Sequence, residues 1–241
     1  MELTAVEWVL GQRLLTATAG SVVGNRYPAN FDVLHLDGAR PLAVVADGMG
    51  DGPGSTAAGR TSVDVFVRET ANVTAAGLRS AVAEVQRAVR DAGRGIADLT
   101  GCTLTAFAGG PDGSAWLVQL GDSRAYRLRD GVFELLTSDH TAAWLGILNG
   151  WYAADSREAF RDRHRLTRYA GHPDMPEPDL LNVSLRPGDR FLLCTDGVSD
   201  QIHDRRLAAA VADRTTVAEL LAETLDNGGD DNATAVIIQV A

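Results

Sequence analysis

Two runs constrain this chain more than any other feature: "LAVVAD" at residues 42–47 and "FLLCTD" at 191–196. Each is apolar at consecutive positions, the pattern of a strand buried on both faces, and each ends in an aspartate followed by glycine. A carboxylate at the end of such a strand stands on a rigid support, so the fold fixes its position. Any architecture for this chain must therefore cover both faces of these strands and still leave their ends open.

Further short apolar runs read as strands at 33–36, 102–108, 115–120, 125–129 and 234–240. The links "DGARP", "GGPDGS", "RDG" and "RPGD" are hairpin-like, with Asp130-Gly131 in type I′ style, and predict antiparallel neighbours. Between the second and third strands lie two helical patterns. Gly59, Val63, Phe66 and Val67 share one face, and Leu78, Val82, Val85 and Val89 repeat the spacing before Gly93. A third helix starts at Thr216 with a capping box to Glu219 and stops at Asn227-Gly228-Gly229. Strand hairpins with helices inserted between them predict an α+β fold, antiparallel sheets covered by helices. No Pro-, Ser- or charge-rich linker interrupts the apolar segments, so residues 1–241 read as one domain, with the irregular stretch 141–175 as a flap-like insertion.

Six aspartates precede a glycine: Asp37, Asp47, Asp51, Asp112, Asp130 and Asp196. Asp37, Asp112 and Asp130 sit in hairpin links and read as turn residues. Asp47 and Asp196 end buried strands, Asp122 follows another, Asp231 precedes "NATAVIIQV" and Asp32 precedes "VLHL". Spacing alone leaves two readings open: a set of separate turns, or carboxylates gathered at one end of a sandwich. A gathered set would repel itself and require raised pKa values or a cation. Oxygen ligands suit Mg²⁺ or Mn²⁺ better than zinc.

Composition narrows the functions. The formal charge is -10 and all 22 basic residues are arginine. The acidic surface argues against nucleic-acid or anionic-membrane partners, and the lack of lysine excludes a Walker-type loop and Schiff-base chemistry. Cys102 and Cys194 lie in apolar runs as core residues, without the arginine of a C-x₅-R phosphatase loop. The opening "MELTAVEWVLGQR" has no signal-peptide pattern, so a cytoplasmic protein is expected.

Four segments, "VVADGMGDGPG", "GCTLTAFAGG…WLVQLGDSRAYRLRDGVFELLTSDHT", "FLLCTDGVSD" and "GGDDNATAVIIQV", resemble in sequence and order the metal-dependent type 2C serine/threonine protein phosphatases of bacterial type. A weaker fifth, "GNRYPANFD", sits where that family has its first acidic motif. The resemblance runs from about Gly24 to Gln239. It implies an αββα sandwich, two antiparallel β-sheets flanked by helix pairs, with a centre of two Mn²⁺ or Mg²⁺ ions. Asp47 would bridge both ions, with the Gly48 carbonyl on the second and Asp196 and Asp231 on the first. Asp32 would act through water on the second ion, and Asp122 would hold a third. Two cations about 3.5–4 Å apart lower the pKa of a bridging water, so the implied reaction is hydroxide attack on phosphoserine or phosphothreonine. The implied partners are phosphoproteins opposing a serine/threonine kinase.

Three positions depart from the family pattern. Phe31 replaces a polar residue before Asp32, and Tyr27 stands where the phosphate-binding arginine is expected, with Arg26 one place early as the candidate anchor. Met49 replaces a histidine found in many eukaryotic members. His140 reads as structural and Arg124 as a buried ion-pair partner. Competing expectations are a noncatalytic regulatory domain, motivated by Phe31 and Tyr27, and a phosphatase dedicated to one partner such as an anti-sigma-factor antagonist.

Overall fold

The doubly buried strands are sandwiched between two further layers on either side, as their composition requires. A computed structural model describes residues 2–241. In chain order it contains β1 (Glu2–Leu10), β2 (Arg13–Val22), β3 (Asp32–Leu36), β4 (Leu42–Asp47), α1 (Pro53–Glu69), α2 (Ala75–Ala92), β5 (Leu104–Gly109), β6 (Ala115–Leu120), β7 (Arg124–Arg129) and β8 (Val132–Leu135). There follow α3 (Ala142–Leu148), α4 (Arg157–Asp162), β9 (Asp179–Val183), β10 (Arg190–Cys194), α5 (Asp196–Ser199), α6 (Asp204–Ala212), α7 (Val217–Asp226) and β11 (Ala233–Val240). One sheet has six strands in the order β1-β2-β11-β10-β7-β8, the other five in the order β3-β4-β5-β6-β9. Every pairing is antiparallel.

Alternation within each strand divides the core into three. On β4, Ala43 and Val45, with Phe107 of the neighbouring β5, face the other sheet, where they meet Phe191, Leu193 and Ile238. Leu42, Val44 and Ala46 face the opposite way, onto Phe66, Leu78, Val82, Val85 and Val89 of α1 and α2. Leu192 and Cys194 of β10, with Ala235 and Ile237 of β11, pack under Val198, Leu207, Leu220 and Leu221 of α5, α6 and α7. The layer order is thus helices, sheet, sheet, helices, the expected αββα sandwich. The capping box at α7 is present, with the Thr216 hydroxyl accepting from the Glu219 amide and the Glu219 carboxylate accepting from the Thr216 amide. Asp130 (φ 50°) and Gly131 (φ 78°) are both left-handed, as a type I′ link between β7 and β8 demands.

Several features differ from the expectations. The N-terminal hairpin β1–β2 adds two strands that the sequence reading left out, with Trp8, Leu10, Leu15, Ala17 and Ala19 as its buried face, and β8, β9, α5 and α6 were likewise not anticipated. Residues 186–189 do form a tight turn, with the Asp189 carboxylate accepting from the Arg186 amide at 2.7 Å. That turn does not close a hairpin, because β9 lies at the edge of the five-stranded sheet and β10 inside the other. The strand anticipated from Cys102 begins at Leu104; Cys102 instead forms isolated bridges to Gly48 and Ala170.

Phe107 and Phe191, both fully buried between the sheets, have ring centroids 5.8 Å apart. Phe107→Ala is expected to cost about 3–5 kcal/mol, because no neighbouring layer can collapse into the gap. Urea unfolding monitored by circular dichroism checks this.

Candidate metal centre

The carboxylates gather where the chain enters or leaves the sheets at one end of the sandwich. Asp32 opens β3 and Asp47 closes β4, and the antiparallel register places their Cα atoms directly opposite each other. Asp196 follows β10 and Asp231 shortly precedes β11, both from the other sheet. Asp122 lies on the crossing from β6 to β7. Asp47, Asp122, Asp196 and Asp231 line one cavity of about 490 Å³ together with Gly48, Arg26, Tyr27, Phe31 and Met49. Asp32 does not line that cavity; it is 8% exposed, and its Oδ2 accepts from the hydroxyls of Thr195 (2.9 Å) and Thr234 (2.6 Å), so it ties the two sheets together beside the site.

Crowding by like charges and burial sets the protonation of the group. Burial raises the Asp32 carboxyl to about 7 against the two hydroxyl donors, with Asp196 and Asp231 adding to the rise. Burial and the charge of Asp196 raise Asp231 to about 6. Asp47 is pushed well up by burial and then by Asp196, Asp32 and Asp231, and Asp122 by burial and Asp196. Asp196 goes the other way. Burial opposes its ionisation, but the neighbouring His164 and Asp47 outweigh it, so this carboxylate ionises more readily than an ordinary aspartate. Its Oδ1 is buried with no hydrogen-bond partner. Oxygen donors gathered in this way, with one buried oxygen orphaned, fit a hard divalent cation.

Gly48 is required by space. A Cβ there would lie 2.3 Å from Ser55 Oγ and 2.9 Å from the Phe31 carbonyl oxygen. The glycine after Asp47 therefore lets three backbone segments meet at the cavity wall.

The remaining anticipated residues are placed as follows. Arg26 reaches the cavity, but its side chain is 70% exposed and its guanidinium is paired with Asp230 at 2.8 Å. Tyr27 stands edge-on to Phe31 at 6.1 Å, an aromatic pair on one wall. His140 is structural: its Nδ1 accepts from the Gly121 amide at 3.1 Å and its Nε2 faces Asp179 at 3.0 Å. Arg124 makes a two-pronged ion pair with Asp139 at 2.9 and 2.6 Å. Cys102 and Cys194 are fully buried, and burial pushes both thiols up to about 12, which removes them as nucleophiles.

Four residues of the site escaped the sequence reading. Asp200 lies four residues after Asp196 and lines the same cavity, a helical spacing that could have shown it. Asn232 accepts from the Phe31 amide at 2.7 Å and donates to the Ala29 carbonyl at 3.1 Å, pinning the segment before Asp32 to the strand after Asp231. Arg163 and His164 enter the cavity from the stretch 141–175, whose irregular sequence carries no signal for them. His164 Nδ1 lies 3.6 Å from Asp196 Oδ2, and its Nε2 3.6 Å from Asp200 Oδ2.

Residues 30–237 match the family model described as "Protein phosphatase 2C". The chain belongs to the protein phosphatase 2C family. It is 35% identical over 219 residues to the serine/threonine protein phosphatase PstP of Mycobacterium tuberculosis, covering 84% of this chain and 41% of that protein. The chain thus spans about two-fifths of that relative's length. Among solved structures it is similar to the PPM Ser-Thr phosphatase MsPP of Mycobacterium smegmatis in complex with cacodylate, at 31% identity and a TM-score of 0.82, covering 93% of this chain and 98% of that one. The catalytic domain of PstP in complex with two manganese ions is similar at 30% identity and a TM-score of 0.79, covering 94% and 98%. In this member of the protein phosphatase 2C family, Asp47, Asp122, Asp196 and Asp231 line the cavity beside the aromatic pair of Tyr27 and Phe31.

The protonated carboxyls predict an inverted pH dependence for the metal-free protein. Asp32 and Asp231 titrate at about 7 and 6 when folded, against the ordinary aspartate value of 3.8. The folded state therefore binds more protons across that window, and stability falls as pH rises from about 4.5 to 7.5. Melting temperatures measured without divalent ions should decline over this range, and Asp32→Asn should flatten the upper part. A melting temperature that rises with pH would contradict the assignment.

Proposed function

We propose that this chain is a metal-dependent serine/threonine protein phosphatase that hydrolyses phosphoserine and phosphothreonine in protein substrates. The observation that carries this reading is the set of aspartates from both sheets converging on one open cavity in a protein phosphatase 2C fold. In this reading residues 1–241 form a single catalytic domain and 141–175 its flap. Asp47, Asp196, Asp231, Asp32 and the Gly48 carbonyl would hold two Mn²⁺ or Mg²⁺ ions, with Asp47 serving both, and Asp122 would hold a third. Bound there, the cations supply Lewis acidity that lowers the pKa of water and neutralises phosphoryl oxygens.

The chain's own residues supply orientation. Thr195 and Thr234 fix one oxygen of Asp32 and leave the other as the free acceptor. Arg26 and Arg163 offer cationic groups on the cavity lining, where a phosphate dianion must approach past the carboxylates. Arg26 exchanges its Asp230 contact for the substrate phosphate. Phe31, 8% exposed, and Tyr27 wall one side with apolar surface and exclude water from it. In this reading the chain acts in the cytoplasm, opposing a serine/threonine kinase, without nucleic-acid or membrane partners. Among the described residues no helix is long and apolar enough to cross a membrane. A noncatalytic scaffold is disfavoured, since a cluster this costly in self-repulsion serves no packing role.

Phosphate release from a phosphothreonine peptide should require Mn²⁺ or Mg²⁺ and stop in EDTA. Asp47→Ala and Asp231→Ala should each lose more than the roughly 10–100-fold that removal of a merely supporting residue costs. Wild-type rates in either variant would reject the assignment.

A further inference from the structure

Asp122 and Asp196 are faced by an imidazole that the carboxylate pattern does not call for. His164 lies just beyond the end of α4, and it, Asp122 and Asp196 each offer one donor atom, all within 4.8 Å of one another. Asp122 is 8% exposed, lines the cavity, and makes no ion pair and no hydrogen bond to another residue's side chain among the described residues. A residue more than nine-tenths buried whose carboxylate has no side-chain partner points to a ligand that completes it. The buried, unpartnered Oδ1 of Asp196 adds a second free donor.

We propose that His164 is a nitrogen ligand of the cation held by Asp122 and Asp196, making that position a mixed nitrogen and oxygen site that selects Mn²⁺ over Mg²⁺. This inference rests on the metal-dependent reading of the cavity and concerns only the ion at Asp122. Bonds of about 2.1 Å to an octahedral ion put adjacent donors roughly 3.0 Å apart and opposite donors roughly 4.2 Å apart. The 3.6 Å between His164 Nδ1 and Asp196 Oδ2 falls between these values, so small side-chain movements suffice. The second nitrogen is also provided for. Nε2 faces Asp200 Oδ2 at 3.6 Å, and a carboxylate accepting from the far nitrogen of a ligating imidazole fixes the ring and strengthens it as a donor. Arg163 Nε, which donates to that Nε2 at 2.7 Å, releases it and keeps its seat 4.2 Å over the Phe160 ring.

Two consequences follow from the place of His164 in the chain. Imidazole favours transition-metal ions over Mg²⁺, so a site with this donor discriminates where an all-oxygen site would not. The Ala142 amide donates to the Arg165 carbonyl at 2.8 Å and Thr141 bridges Leu166, so an ion on His164 ties α3 and α4 to the sheet ends. Occupation of this site orders residues 157–166.

The test is calorimetric titration of the full chain with Mn²⁺ and with Mg²⁺, alongside hydrogen exchange of the amides of residues 157–166. Wild type should show one ion weaker than the other two, bound at least about tenfold more tightly as Mn²⁺ than as Mg²⁺, and protection of those amides that appears with it. His164→Ala should weaken Mn²⁺ at that site by about 10–100-fold, abolish the discrimination and remove the protection, while the two tighter ions stay unchanged. Asp122→Asn should lose the weak ion altogether. A weak ion whose affinity and selectivity ignore His164→Ala, or its absence beside two tight ions, overturns this inference alone. Absence of all divalent binding overturns the phosphatase reading with it.

Discussion

Electrostatic repulsion among carboxylates at one end of the sandwich is the constraint on which the rest depends. Burial first, and then repulsion from neighbouring carboxylates, raises the pKa values of Asp32, Asp47, Asp122 and Asp231, whereas Asp196 stays more acidic than normal. An arrangement of this kind opposes folding unless something else holds the strand ends in place. The three apolar layers do so: the strands that carry Asp47 and Asp196 are buried on both faces, and their burial offsets the cost at their ends.

Topology turns that cost into a site. Asp122 and Asp32 lie where the chain passes between sheets, from β6 to β7 and from β2 to β3. Asp47, Asp196 and Asp231 lie at strand ends of the two sheets, so their mutual placement depends on how the sheets stack. Direct ties across that stack exist where Thr195 and Thr234 of one sheet hold Asp32 of the other. Asn232 adds a third tie through the Phe31 amide. The cavity is therefore as rigid as the inter-sheet core, whereas Arg163 and His164 arrive from a short helical segment attached at its base.

Most of the fold was legible because the strands that matter are buried twice and read as unbroken apolar runs. The helices α1, α2 and α7 were equally plain from their spacing and from the Thr216 capping box. The hairpin β1–β2 escaped because its buried face in β2 is made of small residues, Ala17 and Ala19, set among threonines that give little apolar contrast. The turn at 186–189 was legible as a turn, yet its role in changing sheets depends on strand partners far away in sequence. The same limit applies to the site. Asp47 and Asp196 announce themselves by the strands they end, but His164 and Asn232 matter only through what the fold sets opposite them. Arg26 shows the converse: its place in a motif singles it out, and the structure finds it already engaged with Asp230.

The central claim is that the aspartates from the two sheets together hold divalent cations. Crystals of the protein grown with Mn²⁺ and measured at wavelengths on either side of the manganese absorption edge test it most directly. The account predicts strong anomalous peaks between the carboxylates of Asp47, Asp196 and Asp231. An anomalous map with no manganese in that cavity, in crystals whose carboxylates are ordered, would contradict it.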